Sequence, residues 1–236
     1  IHPIDLDYGS YHACDSVSFS ASKTTFTCVD IGPNDVDLIV IDHNSNTTTC
    51  SAKVTVIDNL PPIALCKGLT VYLDSLGSVT IHPSALNDGS NDNCGIASFS
   101  TSDSTFTCAE IGENSVYFTV TDSSGNIATC ISKVIVKDNR LPMAICKNDT
   151  VYLDHMGRVS IHPIALNNGS FDACGIASFS TSETAFTCAE VRDNRVTLTV
   201  KDKSGNSGTC ISIVTVLDTL KPIVNCKKAT IYIGVN

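Results

Sequence analysis

A chain of 236 residues with 42% hydrophobic and only 17% charged residues has too much to bury to stay disordered, and its many Ser, Thr, Val and Ile residues suit half-buried strands better than helices. The formal net charge of -9 leaves no basic stripe to displace counterions from phosphates, so nucleic acid is not expected as a partner and cations are favoured instead. No apolar run approaches the ~18 residues of a membrane span, and without an initiator Met or signal peptide the chain reads as a processed or excised piece.

The chain repeats itself. Twelve cysteines stand at 14, 28, 50 and 66, then at 94, 108, 130 and 146, then at 174, 188, 210 and 226, each quartet 80 residues after the last. Ile1-His2-Pro3 returns as Ile81-His82-Pro83 and Ile161-His162-Pro163, and Asp42 as Asp122 and Asp202. Boundaries fall at Asp58-Asn59-Leu60-Pro61-Pro62, Asp138-Asn139-Arg140-Leu141-Pro142 and Asp218-Thr219-Leu220-Lys221-Pro222, where proline holds the chain extended as a short stiff linker. Residues 59–138 and 139–218 are then complete repeats, 1–58 is the C-terminal part of one, and 219–236 is the N-terminal part of another. The two parts together make one repeat less four residues. Either the piece belongs to a longer array, or residues 219–236 complete residues 1–58 of a neighbouring subunit by strand addition.

Taken in chain order, Val36, Leu38 and Val40 alternate with polar residues and predict a strand in the first partial repeat. In the second repeat, Leu69–Leu73, Ser78–Ile81, Ile96–Thr101 and Thr105–Cys108 are short and β-rich, separated by Gly, Asn, Asp or Pro. Ser115–Thr121 then places Val116, Phe118 and Val120 on one face. A turn follows at Asp122-Ser123-Ser124-Gly125-Asn126, and a last strand runs from Ala128 to Val136. Val196, Leu198 and Val200 continue the pattern in the third repeat. Seven or so short strands without helical periodicity predict tandem immunoglobulin-like antiparallel β-sandwich repeats, all-β and stapled by disulfides.

A sandwich of this size has a small core, and four cysteines recurring at the same spacings in every repeat predict disulfides and an extracellular or cell-surface location. Four cysteines allow three pairings. The favoured one joins Cys94 to Cys108 across an apparent hairpin near Thr101, and Cys66 to Cys130 between the leading and final strands. It repeats as Cys174–Cys188 with Cys146–Cys210, and as Cys14–Cys28 with Cys226 bonded to Cys50 of the next unit.

At this point the residues resemble a known family. The Asp-Asn-x-x-Pro junction, Cys-Gly-Ile-Ala-Ser-Phe-Ser at 94–100 and 174–180, the Phe-Thr-Cys triplet, and Asp-x-Ser-Gly-Asn followed by Thr-Cys are similar to hyalin-repeat immunoglobulin-like modules of Bacteroidetes surface proteins, gliding-motility adhesins among them. The resemblance implies extracellular spacing, fibre formation or adhesion. The first repeat departs from the pattern, with His12 in place of Asp92 and Asp172, and Ser45 in place of Gly125 and Gly205.

Candidate chemistry is modest. Asp58, Asp122, Asp138, Asp202 and Asp218, with Asp42, Asp92 and Asp172 nearby in the pattern, could furnish hard oxygen cages for Ca2+, an optional ligand that the fold does not require; the competing reading is that they cap turns. Zinc is not expected without a Cys-x-x-Cys pair, and His2, His82 and His162 read as packed strand ends. No Ser or Cys has a unique base beside it, and repetition itself argues against an enzyme. Sugar attachment has candidates at Asn46, Asn148 and Asn168 in N-linked sequons, and at Ser16, Ser75, Ser104, Thr150 and Thr219 under the resembled family's O-linked pattern. The leading expectation is a structural unit of a stalk, filament or adhesin, joined head to tail to copies of itself or to further repeats. The alternative is a module that binds surface glycans or a receptor through loops such as Asn87–Ser90 and Asn167–Ser170, by avidity.

Overall fold

A computed structural model describes residues 1–234. Fifteen strands form, in chain order: β1 Ser18–Ala21, β2 Gly32–Ile41, β3 Thr47–Val56, β4 Leu69–Tyr72, β5 Ser78–Thr80, β6 Ile96–Thr101, β7 Thr105–Thr107, β8 Gly112–Asp122, β9 Ile127–Lys137, β10 Asp149–Tyr152, β11 Arg158–Ser160, β12 Ile176–Thr181, β13 Ala185–Thr187, β14 Asp193–Asp202 and β15 Ser207–Leu217. The chain is all-β, with short 3-10 turns between strands. Each complete repeat has a four-stranded sheet, ordered β4-β9-β8-β6 and β10-β15-β14-β12, and a two-stranded one, β5-β7 and β11-β13. The first partial repeat has only β1-β2-β3.

The alternation read in the sequence is the alternation of burial. Val116, Phe118 and Val120 on β8 and Val196, Leu198 and Val200 on β14 are at most 1% exposed, because a pleated strand turns every second side chain to one face. In the third repeat these residues join Leu153, Ile161, Leu166, Phe186, Val214 and Val216 in one core, with Cys146 and Cys210 packed against it. Antiparallel pairing is not universal: the leading strand β10 runs parallel to the final strand β15, from Asp149 opposite Val214 to Tyr152 opposite Leu217.

Two compact units form. One comprises Ile1–Thr70, Thr80–Thr105 and Glu113–Ile135, the other Val71–Val79, Phe106–Gly112 and the chain from Val136 onward. The dividing line runs through the second repeat, not along the proline junctions. In the first unit β1-β2-β3 bury Val36 and Leu38. In the second, the segment after β15 carries no secondary structure from Asp218 to Gly234, and Ile223, Ile231, Tyr232 and Ile233 are 86–93% exposed. Of the expected partial repeat 219–236, Val235 and Asn236 lie outside the described residues.

The structure corrects three of the expected disulfides. Cys94 is bonded to Cys28 and Cys174 to Cys108, with Cα separations of 5.2 and 5.3 Å, so Cys94–Cys108, Cys174–Cys188 and Cys14–Cys28 are not formed. The apparent hairpin that suggested them is not one: β6 pairs with β8 while β7 pairs with β5, so Cys94 and Cys108 flank a crossing from one sheet to another and are not cross-strand neighbours. Cys66–Cys130 and Cys146–Cys210 are bonded, at Cα separations of 6.2 and 5.9 Å. Cys14, Cys50, Cys188 and Cys226 are exposed free thiols.

Candidate functional site: the repeat junction

The chemistry that recurs is concentrated at the junctions. Between β8 and β9 the chain reverses over Asp122–Asn126, with Gly125 at φ 91°, a left-handed conformation that a residue without Cβ adopts readily. The buried Asp122 carboxylate accepts from the backbone N–H groups of Ser124 and Asn126 and from the Asn126 side-chain amide, each at 2.8 Å. Burial alone would raise its pKa, but the Asn126 amide and the backbone donors of Asn126, Ser124 and Gly125 outweigh it and hold the carboxyl below the ordinary range.

The same Asn126 Nδ2 also donates to the backbone carbonyls of Asp58 at 3.1 Å and Leu60 at 3.3 Å, and Ser124 Oγ donates to Asp58 Oδ2 at 3.3 Å. One amide thus fastens the junction to the turn. The third repeat repeats the device: Asn206 Nδ2 donates to Asp202 Oδ2 at 2.8 Å and to the Asp138 carbonyl at 3.3 Å, and Ser204 Oγ donates to Asp138 Oδ2 at 3.0 Å. In the first repeat the turn survives on weaker terms. Asn46 still donates to both oxygens of Asp42 at 2.8 Å, but Ser45 must take φ 66°, and His12 Nε2 lies 3.9 Å from Asp42 Oδ2 at the position of Asp92 and Asp172.

Donor atoms of Asp58, Asp92 and Asp122 lie within 4.8 Å of one another, as do those of Asp138, Asp172 and Cys174. The first trio has the hard oxygens that Ca2+ requires, but much of its capacity is spent: Asp122 serves Asn126 through both oxygens, Asp92 Oδ1 accepts from Cys94 N at 2.7 Å, and Asp58 Oδ1 from Leu60 N at 3.2 Å. The second trio fits less well, since Cys174 is tied up in its disulfide and offers no oxygen. Among the described residues Asp202 and Asp218 belong to neither trio; Asp218 is exposed and accepts from Leu220 N at 2.9 Å.

The disulfides between repeats have their own support, one that the sequence reading missed. Cys108 opens a 3-10 turn, Cys108–Glu110, capped by Thr107, whose backbone N–H and hydroxyl both reach Glu110 Oε2 at 2.7 Å. Thr27 with Asp30 and Thr187 with Glu190 repeat this capping pair around Cys28 and Cys188. The Thr-x-x-Glu spacing was a legible signal for it. Gly77, at φ 75°, leaves room for the Cys108 sulfur, which a Cβ there would meet at 2.7 Å. Gly157 does the same for Cys188, which sits ready in this cradle as a free thiol.

The recurrent His2, His82 and His162 precede 3-10 turns instead of ending strands; His82 Nδ1 lies 2.7 Å from Ser84 Oγ and caps Pro83–Leu86. All eight candidate sugar sites, Asn46, Asn148, Asn168, Ser16, Ser75, Ser104, Thr150 and Thr219, are exposed. Asn148 is otherwise engaged, its Oδ1 accepting from Ile213 N at 2.8 Å.

No protein-family model matches the chain, and no curated protein matches it in sequence. Among solved structures it is similar to protocadherin gamma B7 extracellular cadherin domains 1-4, at 13% identity and a TM-score of 0.38, covering 87% of this chain and 68% of that one. It is also similar to the protocadherin gamma B4 extracellular domain, at 12% identity and 0.38, covering 92% and 44%, and to mouse cadherin-23 EC22-24, at 11% identity and 0.37, covering 86% of each. These likenesses are loose, and this chain's own residues carry the reading. Repeated β-sheets under four disulfides, formed in an oxidising compartment, define an extracellular or cell-surface tandem-repeat protein.

Proposed function

We propose that this chain is a structural element of an extracellular stalk, filament or adhesin of the hyalin-repeat kind, with repeats joined in series, and that it is not an enzyme. The observation that carries this reading is the disulfide pattern: Cys28–Cys94 and Cys108–Cys174 each tie one repeat to the next, both with a sequence separation of 66. Bonds placed between modules serve their connection, which a catalytic or freely hinged module does not need.

Completion of the first repeat is part of the proposal. Among the described residues the outer edge of β3 has no strand beside it in the sheet order, and a groove of 690 Å³ between the N-terminal segment and this sheet is lined by Leu6, Tyr8, Leu38, Val40, Thr48 and Cys50. The segment Ile223–Ile233 of a second copy matches the start of each complete repeat. Transferring the β10–β15 register sets Ala229 beside Val54, Thr230 beside Thr55, Ile231 beside Val56 and Tyr232 beside Ile57, and brings Cys226 to Cys50. In an array on one chain, preceding residues would take that place. A Ca2+ held among Asp58, Asp92 and Asp122 would stiffen the junction without being required for folding. Glycan or receptor binding by avidity is less supported, because Ser90 and Ser170, in the loops proposed for it, spend their hydroxyls on Leu65 and Ile145.

The test is the association of the purified, oxidised chain. Head-to-tail oligomers are expected under denaturing, non-reducing conditions, with a Cys50–Cys226 peptide in their digest. Monomers throughout, with no end-to-end contact detected under native conditions either, would refute assembly from separate copies.

A further inference from the structure

The four disulfides overlap instead of lying side by side. The loop closed by Cys28–Cys94 shares residues 66–94 with the loop of Cys66–Cys130, which shares 108–130 with that of Cys108–Cys174, which shares 146–174 with that of Cys146–Cys210. Every peptide bond between Cys28 and Cys210 therefore lies inside at least one closed loop. None of them is the sole covalent connection between its two sides.

The bonds also divide into two routes that share no backbone. One crosses from Cys28 to Cys94, follows the chain to Cys108, and crosses to Cys174. The other crosses from Cys66 to Cys130, follows the chain to Cys146, and crosses to Cys210. Fully extended, the backbone of the first route, Cys94 to Cys108, spans only ~50 Å, and that of the second, Cys130 to Cys146, ~56 Å, whereas the uncrosslinked backbone from Cys28 to Cys174 would reach ~500 Å. Unfolding under load frees almost none of that length. The slack lies in side loops that carry no tension.

We propose that this disulfide set makes the chain a tether of capped extension that survives backbone cleavage: two covalent routes run in parallel, either one limits its length, and no single cut between Cys28 and Cys210 severs it. This deepens the structural role proposed above. It concerns one chain, so it is separable from assembly: a chain that oligomerises yet stretches freely refutes the tether alone, and a monomer that stretches only to the cap refutes assembly alone.

The experiment pulls the full oxidised chain between handles ligated to its two termini, with Cys14, Cys50, Cys188 and Cys226 alkylated. The expected limit after complete unfolding is ~350 Å, rising to ~800 Å on reduction. A variant with Ser at Cys28, Cys94, Cys108 and Cys174, and another with Ser at Cys66, Cys130, Cys146 and Cys210, should each stop short of ~400 Å, because the remaining route still bypasses the loops. An oxidised chain or either variant running past ~600 Å overturns the proposal. A second measurement needs no variant. Limited cleavage at the exposed Arg140, inside only the Cys108–Cys174 loop, should leave the denatured, unreduced chain at full mass and split it on reduction; release of fragments without reductant overturns the proposal as well.

Discussion

The first and third repeats place the same two valines and the same cysteine at matching positions on their final strands, yet bury them differently. Val214 and Val216 on β15 are 0% exposed, whereas their counterparts Val54 and Val56 on β3 are only half-buried. Cys210 is bonded and packed on the core; Cys50, its counterpart, is an exposed thiol. Of the three strands that the first repeat lacks, the leading one bears on this directly. β10 lies along β15, and among the described residues nothing occupies that place beside β3 in the sheet order. A final strand in this architecture is finished by residues that precede it by more than sixty positions, so a repeat is closed from outside its central hairpin.

The comparison can be broken hardest at its disulfide. Replacing Cys146 and Cys210 together by Ala should destabilise the third repeat by ~4 kcal/mol, from the loop entropy returned to the unfolded chain, whereas Cys50→Ala should change the first by less than ~0.5 kcal/mol. Urea unfolding followed by hydrogen exchange at β14 and β2 separates the two. If the leading strand is what seals the core, Val214→Ala should cost ~2 kcal/mol and Val54→Ala under ~1 kcal/mol. Equal costs at the two positions, in the same assay, would remove the strand as the explanation.

The smallest contrast lies in the turns. Asp122 in the second repeat and Asp42 in the first are both held below the ordinary carboxyl range, Asp42 by the Asn46 side-chain amide foremost, with burial opposing. A carboxyl whose folded pKa lies below its unfolded value contributes stability that is complete above the unfolded value and lost as pH falls through the folded one. The melting temperature should therefore fall as pH drops below ~4, and Asp122→Asn should flatten that decline. Asp42→Asn should flatten it less, since Asp42 is not tied to a preceding junction. A decline unchanged by both substitutions would mean that these turns do not govern acid unfolding.

Much of the fold was legible because it is local. Alternation marked Val116, Phe118 and Val120, and Gly125 and Pro61 punctuated the chain through their own backbone preferences. Cysteine pairing was not legible in the same way, since spacing near Thr101 looks alike whether the two strands face each other or part into different sheets, as β6 and β7 do. The carboxylates of the junction were visible as a periodic set. The role of Asn126 was not, because it depends on carbonyls of Asp58 and Leu60, more than sixty residues earlier, whose approach no local pattern encodes.

The offset between the cysteine period and the bond span has a genetic consequence. Each cross-repeat bond joins one class of cysteine to the other class in the following repeat, so removing or inserting one whole period by recombination leaves every interior cysteine facing a partner of the right class. An array of this kind can change its copy number in a single event without re-pairing its sulfurs. Only the outermost thiols of each class are left over, and their kind and number stay the same however many repeats lie between them.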